Sequence, residues 1–261
     1  MALTKVIGNG LGATQEGAIT FNEGSADVDF RVESNGNANM LFVDGGENRV
    51  GIGSNAPQTL LHLQGSEPDI FLRRTDLTNK SWRLNVQSST GDLNIKSRND
   101  DGSASTTSMV IAHDGYVTTP LQPSFLVNPS SNQTDLAIGT STNVTIVYGN
   151  ERYDIGSNFA SNTFTAPVTG RYMLFSQIFL LNVDKAQTYI QHFLKTSNLT
   201  YSNVVANNQM FAADVDYMTL NQSVVTDMDA NDTAFIQVNM AGGTQQMDVR
   251  TDSFFGGMLI G

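Results

Sequence analysis

The sequence predicts an all-β protein in two parts, a thin β segment followed by a β-sandwich. Three observations carry this. Apolar and polar residues alternate with period two in runs of about four to eight, as in Val28-Asp29-Phe30-Arg31-Val32 and Phe235-Ile236-Gln237-Val238. Gly, Asn, Asp and Ser close those runs, and these residues tolerate the backbone angles that tight turns require. The large side chains are unevenly placed: six of the seven tyrosines and most of the phenylalanines lie between Phe125 and Gly261, so the main core belongs there.

The elements follow in order. Residues 1–19 read as a lead segment, with Gly8-Asn9-Gly10-Leu11-Gly12 as flexible chain. Met1 to Gly12 has neither the basic start nor the apolar stretch of a secretory leader, and no apolar run reaches the roughly 20 residues that span a bilayer. The expectation is a soluble protein made without secretion and with no membrane insertion. Residues 20–65 and 66–120 form two β shaft units. From Ala18 to Pro120 turns are frequent and large side chains few, so this half buries little apolar area by itself.

An internal echo supports a repeat. Phe30-Arg31-Val32-Glu33-Ser34 with Met40-Leu41-Phe42-Val43-Asp44-Gly45 resembles Leu93-Asn94-Ile95-Lys96-Ser97 with Met109-Val110-Ile111-Ala112-His113-Asp114-Gly115. The second copy has the longer polar loop, where added length is thermodynamically cheap. Pro120 and Pro123 then stiffen the chain and withhold ladder donors, which marks a linker. Residues 121–261 form the sandwich, whose only helical candidate is a single turn at Ser157 to Ala160.

Charge and chemistry narrow the function. With a net charge of −11 the chain has no surplus of cations to displace counterions from a phosphate backbone, so nucleic acid is excluded as a partner. There are no cysteines, and His62, His113 and His192 lack the spacing that puts two metal ligands on one face. His192, between Ile190 and Phe193, is assigned to a strand surface. Gly51-Ile52-Gly53-Ser54-Asn55-Ala56 matches a dinucleotide fingerprint in letters, but Pro57 and an alternating strand follow where a helix would have to open, so it is a turn.

Asp227-Met228-Asp229-Ala230-Asn231-Asp232 imitates the start of a calcium loop. The sixth and twelfth positions, Asp232 and Val238, are wrong for an EF-hand. A turn is expected, with a surface calcium site at Asp227, Asp229 and Asp232 as the alternative and no other cofactor. The six Asn-x-Ser/Thr triplets follow from composition. No residues are assigned as catalytic: the acids are scattered over turns, and the single Trp82 offers no sugar-stacking groove with a carboxylate pair.

Three ordered blocks in the second half resemble the C1q-like domain, a head related in fold to tumour necrosis factor. They are Tyr153-Asp154 with Asn162 to Ser176, then Val224 to Val238, then Asp252 to Ile260. Pro167 and Gly170 flank a turn, and Phe164, Tyr172 and Phe175 suit a sandwich interior. Phe254, Met258 and Ile260 alternate on one face of the last strand, Phe255 and Leu259 on the other, so that strand is expected to be buried on both faces. The resemblance implies a jelly roll assembled as a homotrimer, with Phe164, Tyr172, Phe175, Phe235, Val238, Phe254, Phe255, Met258 and Leu259 as core and trimer candidates. Asn231-Asp232 stands where the family has Gly-Asp, and the family's cysteine is absent.

In the first half, Asp29 to Ser34, Met40 to Asp44 and above all Arg49 to Leu63 resemble the shaft and collar segments of marine bacteriophage fibres. This implies a structural, non-enzymatic virion protein, a tail or head fibre. Its N-terminal segment would dock on other virion proteins and its trimeric jelly roll would bind a host surface glycan or protein. The competing expectations are a capsid decoration or connector protein whose jelly roll only trimerises, and a glycan-degrading fibre.

Overall fold

A computed structural model describes residues 24–137, 142–206, 212–244 and 246–261. The lead segment 1–19 lies outside the described residues. The chain divides into two compact units, Met1–Thr118 and Thr119–Gly261, and the described residues hold strands, turns and bends with no helix.

The described residues of the first unit form two separate sheets. In the first, β1 (Phe30–Val32), β2 (Leu41–Asp44), β3 (Arg49–Ile52) and β4 (Leu61–Leu63) lie in chain order, antiparallel except for the parallel pair β3–β4. The stretch resembling a dinucleotide fingerprint is the exit of β3, where Gly53 turns at φ 81°. The second is an antiparallel meander of β5 (Asp69–Leu72), β6 (Ser81–Val86), β7 (Leu93–Arg98), β8 (Ser105–Ile111) and β9 (Val117–Thr118). The two echo segments share a connectivity: β1-β2-β3 and β7-β8-β9 each run strand, loop, strand, Asp-Gly turn, strand.

Pairing in the meander sorts its side chains by face. Leu72 pairs Trp82, Ile70 pairs Leu84, Leu84 pairs Ile95, Val86 pairs Leu93 and Leu93 pairs Ile111, so one face is mainly apolar, interrupted by Ser97 and Thr106 in the row of Trp82. The other carries Asp69, Arg83, Lys96 and Arg98, with Arg83 Nε donating to Asp69 Oδ2 at 2.6 Å and Arg98 lying over the Phe71 ring at 5.8 Å. Among the described residues of this unit Phe42 is the one large apolar side chain that is buried.

The second unit is a sandwich of two antiparallel sheets. Its strands are β10 (Ser124–Asn128), β11 (Gln133–Ala137), β12 (Val144–Thr145), β13 (Asn150–Ile155), β14 (Phe159–Ala160), β15 (Thr163–Thr165), β16 (Gly170–Leu181), β17 (Gln187–Thr196), β18 (Thr200–Ala206), β19 (Met218–Met228), β20 (Thr233–Gly242), β21 (Gln246–Val249) and β22 (Phe254–Leu259). One sheet runs β13-β10-β22-β16-β19, with β11-β21 continuing beside the far end of β16. The other runs β14-β15-β20-β17-β18, with β12 also on β20. Each connection that passes between the sheets, β15 to β16 and β19 to β20 among them, gives the jelly-roll order.

Inner-face residues build one core. Phe125 stacks on Phe164 at 4.6 Å and on Phe159 at 5.4 Å, and meets Phe255 edge-on at 4.9 Å. Tyr172, Leu174, Ile178 and Leu180 from β16 and Ile190, Leu194, Ile236 and Val238 from the facing sheet complete it. The Tyr172 hydroxyl donates to the Val168 carbonyl at 2.8 Å, which satisfies the polar tip of an otherwise apolar side chain. Gly257 has to be glycine here: a Cβ would sit 2.6 Å from Leu174 Cδ2 and 2.9 Å from Phe125 Cε1.

The helical turn expected at Ser157 to Ala160 does not form. The Asp154 carboxylate instead accepts the amides of Asn158 (3.0 Å) and Phe159 (2.8 Å), which extends the chain into β14 and turns Phe159 inward. β14 and β15 are then joined by Ser161-Asn162, both at positive φ (51° and 64°), the two-residue turn whose twist suits a hairpin. Asp154→Ala leaves both amides without a charged acceptor, and a loss of about 2 kcal/mol is expected in urea denaturation. A loss below ~0.5 kcal/mol would show that water replaces the carboxylate.

Candidate functional site

The candidates for chemistry do not converge. His62 is on β4, where its Nδ1 accepts the Gln58 amide at 3.4 Å. His113 follows β8, with its backbone amide bonded to Asp92. His192 lies inside the sandwich. Among the described residues no group of three or more His, Asp or Glu is placed to hold a metal.

The three residues of the calcium alternative each have other partners. Asp227 faces Arg171 across β16 and β19 at 3.3 Å. Asp229 accepts the Thr169 hydroxyl at 3.4 Å, and Asp232 Oδ2 accepts the Asp229 amide (2.9 Å) and Asn198 Nδ2 (2.7 Å). Asn231 sits at φ 76°, a left-handed position that asparagine tolerates better than most residues with a side chain.

Trp82 shares an open groove with Phe71, Arg73, Arg74 and Lys80, and no carboxylate lines it. The acid pair that sugar hydrolysis needs is therefore not beside the one tryptophan. Arg74 at this groove is paired with Asp76 just outside it, at 2.6 Å. Elsewhere carboxylates serve turns. The Ala186 and Thr244 amides hold Asp184 below the usual carboxylate range, and the Ser81 hydroxyl with the Asn79 amide does the same to Asp100.

His192 is a correction to the surface assignment. Ile190, His192 and Leu194 alternate on β17 and share its inner face, so the ring is fully buried, with Nε2 2.9 Å from Ser176 Oγ on the facing sheet. Nδ1 has no partner. Burial pushes the imidazole down to about 4, so it is neutral at pH 7 and serves as a polar tie between the sheets. The alternation Ile190-x-His192-x-Leu194 was the signal that placed it; its immediate neighbour Phe193 points outward.

The remaining feature is an apolar surface. β16 has Tyr172, Leu174, Ser176 and Ile178 facing in, so Met173, Phe175, Gln177 and Phe179 face out. Phe175 is therefore on the outer face and not in the interior expected of it, because it lies three residues from Tyr172 and strand faces alternate every residue. Register then assembles two rows across the sheet. One holds Val225, Met173 and Met258; the other holds Phe175, Gly256, Leu126 and Tyr153.

Gly256 lets the Phe175 ring lie on the backbone, since a Cβ there would approach two ring atoms to 2.7 Å. Phe254 meets the same ring edge-on at 6.2 Å. Met258, Tyr153 and Val225 are 37%, 41% and 58% exposed. The last strand is thus apolar on both faces, as its sequence shows, yet only the face with Phe255 is covered within one chain. Of the other candidates, Phe164, Tyr172 and Val238 are fully buried, Leu259 packs at the core edge, and Phe235 is half-buried on the outer face of the second sheet.

Comparison with known proteins concerns this second unit. No curated protein matches the chain. Among solved structures, the globular domain of zebrafish complement 1qA protein is 17% identical, with 54% of this chain and 98% of that chain covered and a TM-score of 0.41. Two crystal structures of murine APRIL, at pH 8.5 and pH 8.0, are each 10% identical, cover 53% of this chain and 99% of theirs, and give TM-scores of 0.37. The family model of the C1q domain matches residues 127–260. That span takes in every strand of the sandwich from β11 to β22 and more than half of the sequence, and on it the chain belongs to the C1q domain family.

Proposed function

We propose that three copies of this chain assemble through the outer face of the β10-β22-β16-β19 sheet into a virion fibre, with the jelly rolls presented to the host surface. The observation that carries the reading is the double row of Met173, Met258, Phe175, Leu126 and Tyr153 on a sheet whose other face already belongs to the core. A contiguous apolar face of this kind on a soluble domain is an interaction surface, and assemblies of identical subunits are closed by symmetry. Three tethered heads would also raise the avidity of weak contacts with a glycan or protein. The fibre role itself is supported by the resemblance of the Arg49 to Leu63 block to fibre collars and by the scarcity of buried apolar side chains in the first unit.

Light scattering tests the assembly. The expected mass is three times the 28.2 kDa of one chain, and Phe175→Asp with Met258→Asp is expected to reduce it to one chain at micromolar concentration while the β circular dichroism is kept. A wild-type mass of one chain would overturn the proposal. Cryo-microscopy of the particle separates the roles: a distal head fits host attachment, whereas a head packed among capsid proteins fits decoration.

A further inference from the structure

We infer that the apolar face of the β5–β9 meander is a second contact between copies of this chain, a seam between their first units. This rests on the trimer reading above and adds to it a surface that the C1q domain does not contain. Leu72, Trp82, Leu84, Val86, Ile95 and Ile111 all share that face. Leu72 is 56% and Trp82 44% exposed, and no side chain on the face is buried.

Charge names the occupant. Between Asp69 and Thr118 six cations, Arg73, Arg74, Lys80, Arg83, Lys96 and Arg98, balance six carboxylates, Asp69, Asp76, Asp92, Asp100, Asp101 and Asp114, so the whole −11 of the chain lies outside the meander. A sheet of zero net charge meets copies of itself without net repulsion, whereas the rest of the chain carries a net charge of −11. Size explains why the seam depends on the head. Five strands about 4.8 Å apart and some six residues long give a face of roughly 20 by 20 Å. That is small beside the ~800 Å² per partner of a free-standing interface, so the copies must be held together by the heads, where tethering supplies the effective concentration.

Two features of the sequence make the test direct: Trp82 is the only tryptophan and there is no cysteine. In the full-length protein Trp82 emission is expected to be blue-shifted and several-fold protected from acrylamide. In Leu84→Asp it should become red-shifted and quenchable while light scattering still gives three chains. Single-cysteine variants provide a second readout if Leu84→Asp folds poorly. Ile95→Cys, on the apolar face, is expected to form inter-chain disulfides on mild oxidation, and Lys96→Cys, on the opposite face, is not.

A wild-type trimer with an exposed, freely quenched Trp82, or equal cross-linking of the two cysteine variants, overturns the seam and leaves the head trimer standing. A mass of one chain overturns both. One-chain mass with a protected Trp82 also overturns the seam, since something other than a second copy then covers the face.

Discussion

Phe125→Ala is expected to lower the stability of the second unit by about 3–5 kcal/mol, the range for a fully buried phenylalanine whose site cannot collapse. The ring is the hub of the core. It leaves β10 toward the interior, lies between Phe159 and Phe164 at 5.4 and 4.6 Å, and receives the edge of Phe255 at 4.9 Å. Removing it empties space bounded by three other rings and by the backbone at Gly257, where Phe125 Cε1 fills the volume that a Cβ would take. Domains of this size are stable by only about 5–15 kcal/mol, so the melting temperature should fall by roughly 10–15 °C. Val204→Ala, at a position 49% exposed on β18 of the other sheet, is the control and should change stability by less than ~0.5 kcal/mol. Both are measured at one protein concentration, because any self-association adds stability by mass action. A loss below ~1 kcal/mol for Phe125→Ala would refute this account of the core.

Acidification is expected to destabilise the same unit through His192. Burial holds its folded pKa at about 4, against 6.5 in the unfolded chain. Below pH 6.5 the unfolded chain takes up a proton that the folded one refuses. Stability is therefore complete above that pH, falls as the pH drops toward 4 and levels beneath it. The gap corresponds to about 3 kcal/mol. The ring's surroundings offer the imidazolium no relief: Ser176 faces it from the other sheet, Val238 and Asn203 flank it in register, and Nδ1 has no partner. His192→Gln can keep a bond to Ser176 but does not titrate, so its unfolding free energy should be nearly flat across this window apart from the shared contribution of carboxylates. Equal pH slopes for the two proteins would remove His192 as the cause.

How much of this was legible beforehand follows from what strand periodicity encodes. Alternation located the strands and paired residues by face: Phe254 with Met258, and Phe255 with Leu259, are opposed as the spacing of β22 requires. Turns were legible as places, including the Asp-rich turn at Asp229 to Asp232, but not in every detail, since the helical turn expected at Ser157 to Ala160 does not form. Period two also contained the two placements that went astray. Tyr172 and Phe175 differ by an odd number of residues and cannot share a face, and Ile190, His192 and Leu194 differ by even numbers and must. Reading size and immediate neighbours in place of parity put Phe175 inside and His192 outside.

By itself, then, the sequence determined an all-β chain of short strands and polar turns, its aromatic residues gathered in the second half, and the C1q blocks in order from Tyr153 to Ile260. Only the tertiary structure decided which face of each strand is covered. Alternation says that two faces differ but not which meets a second layer, and a strand such as β22, apolar on both, leaves the choice open. That choice is made by pairings distant in sequence: Phe255 beside Val127 and Ser176 turns one face of β22 into core, and leaves Phe254 and Met258, beside Gln177 and Met173, on the face that this chain does not cover.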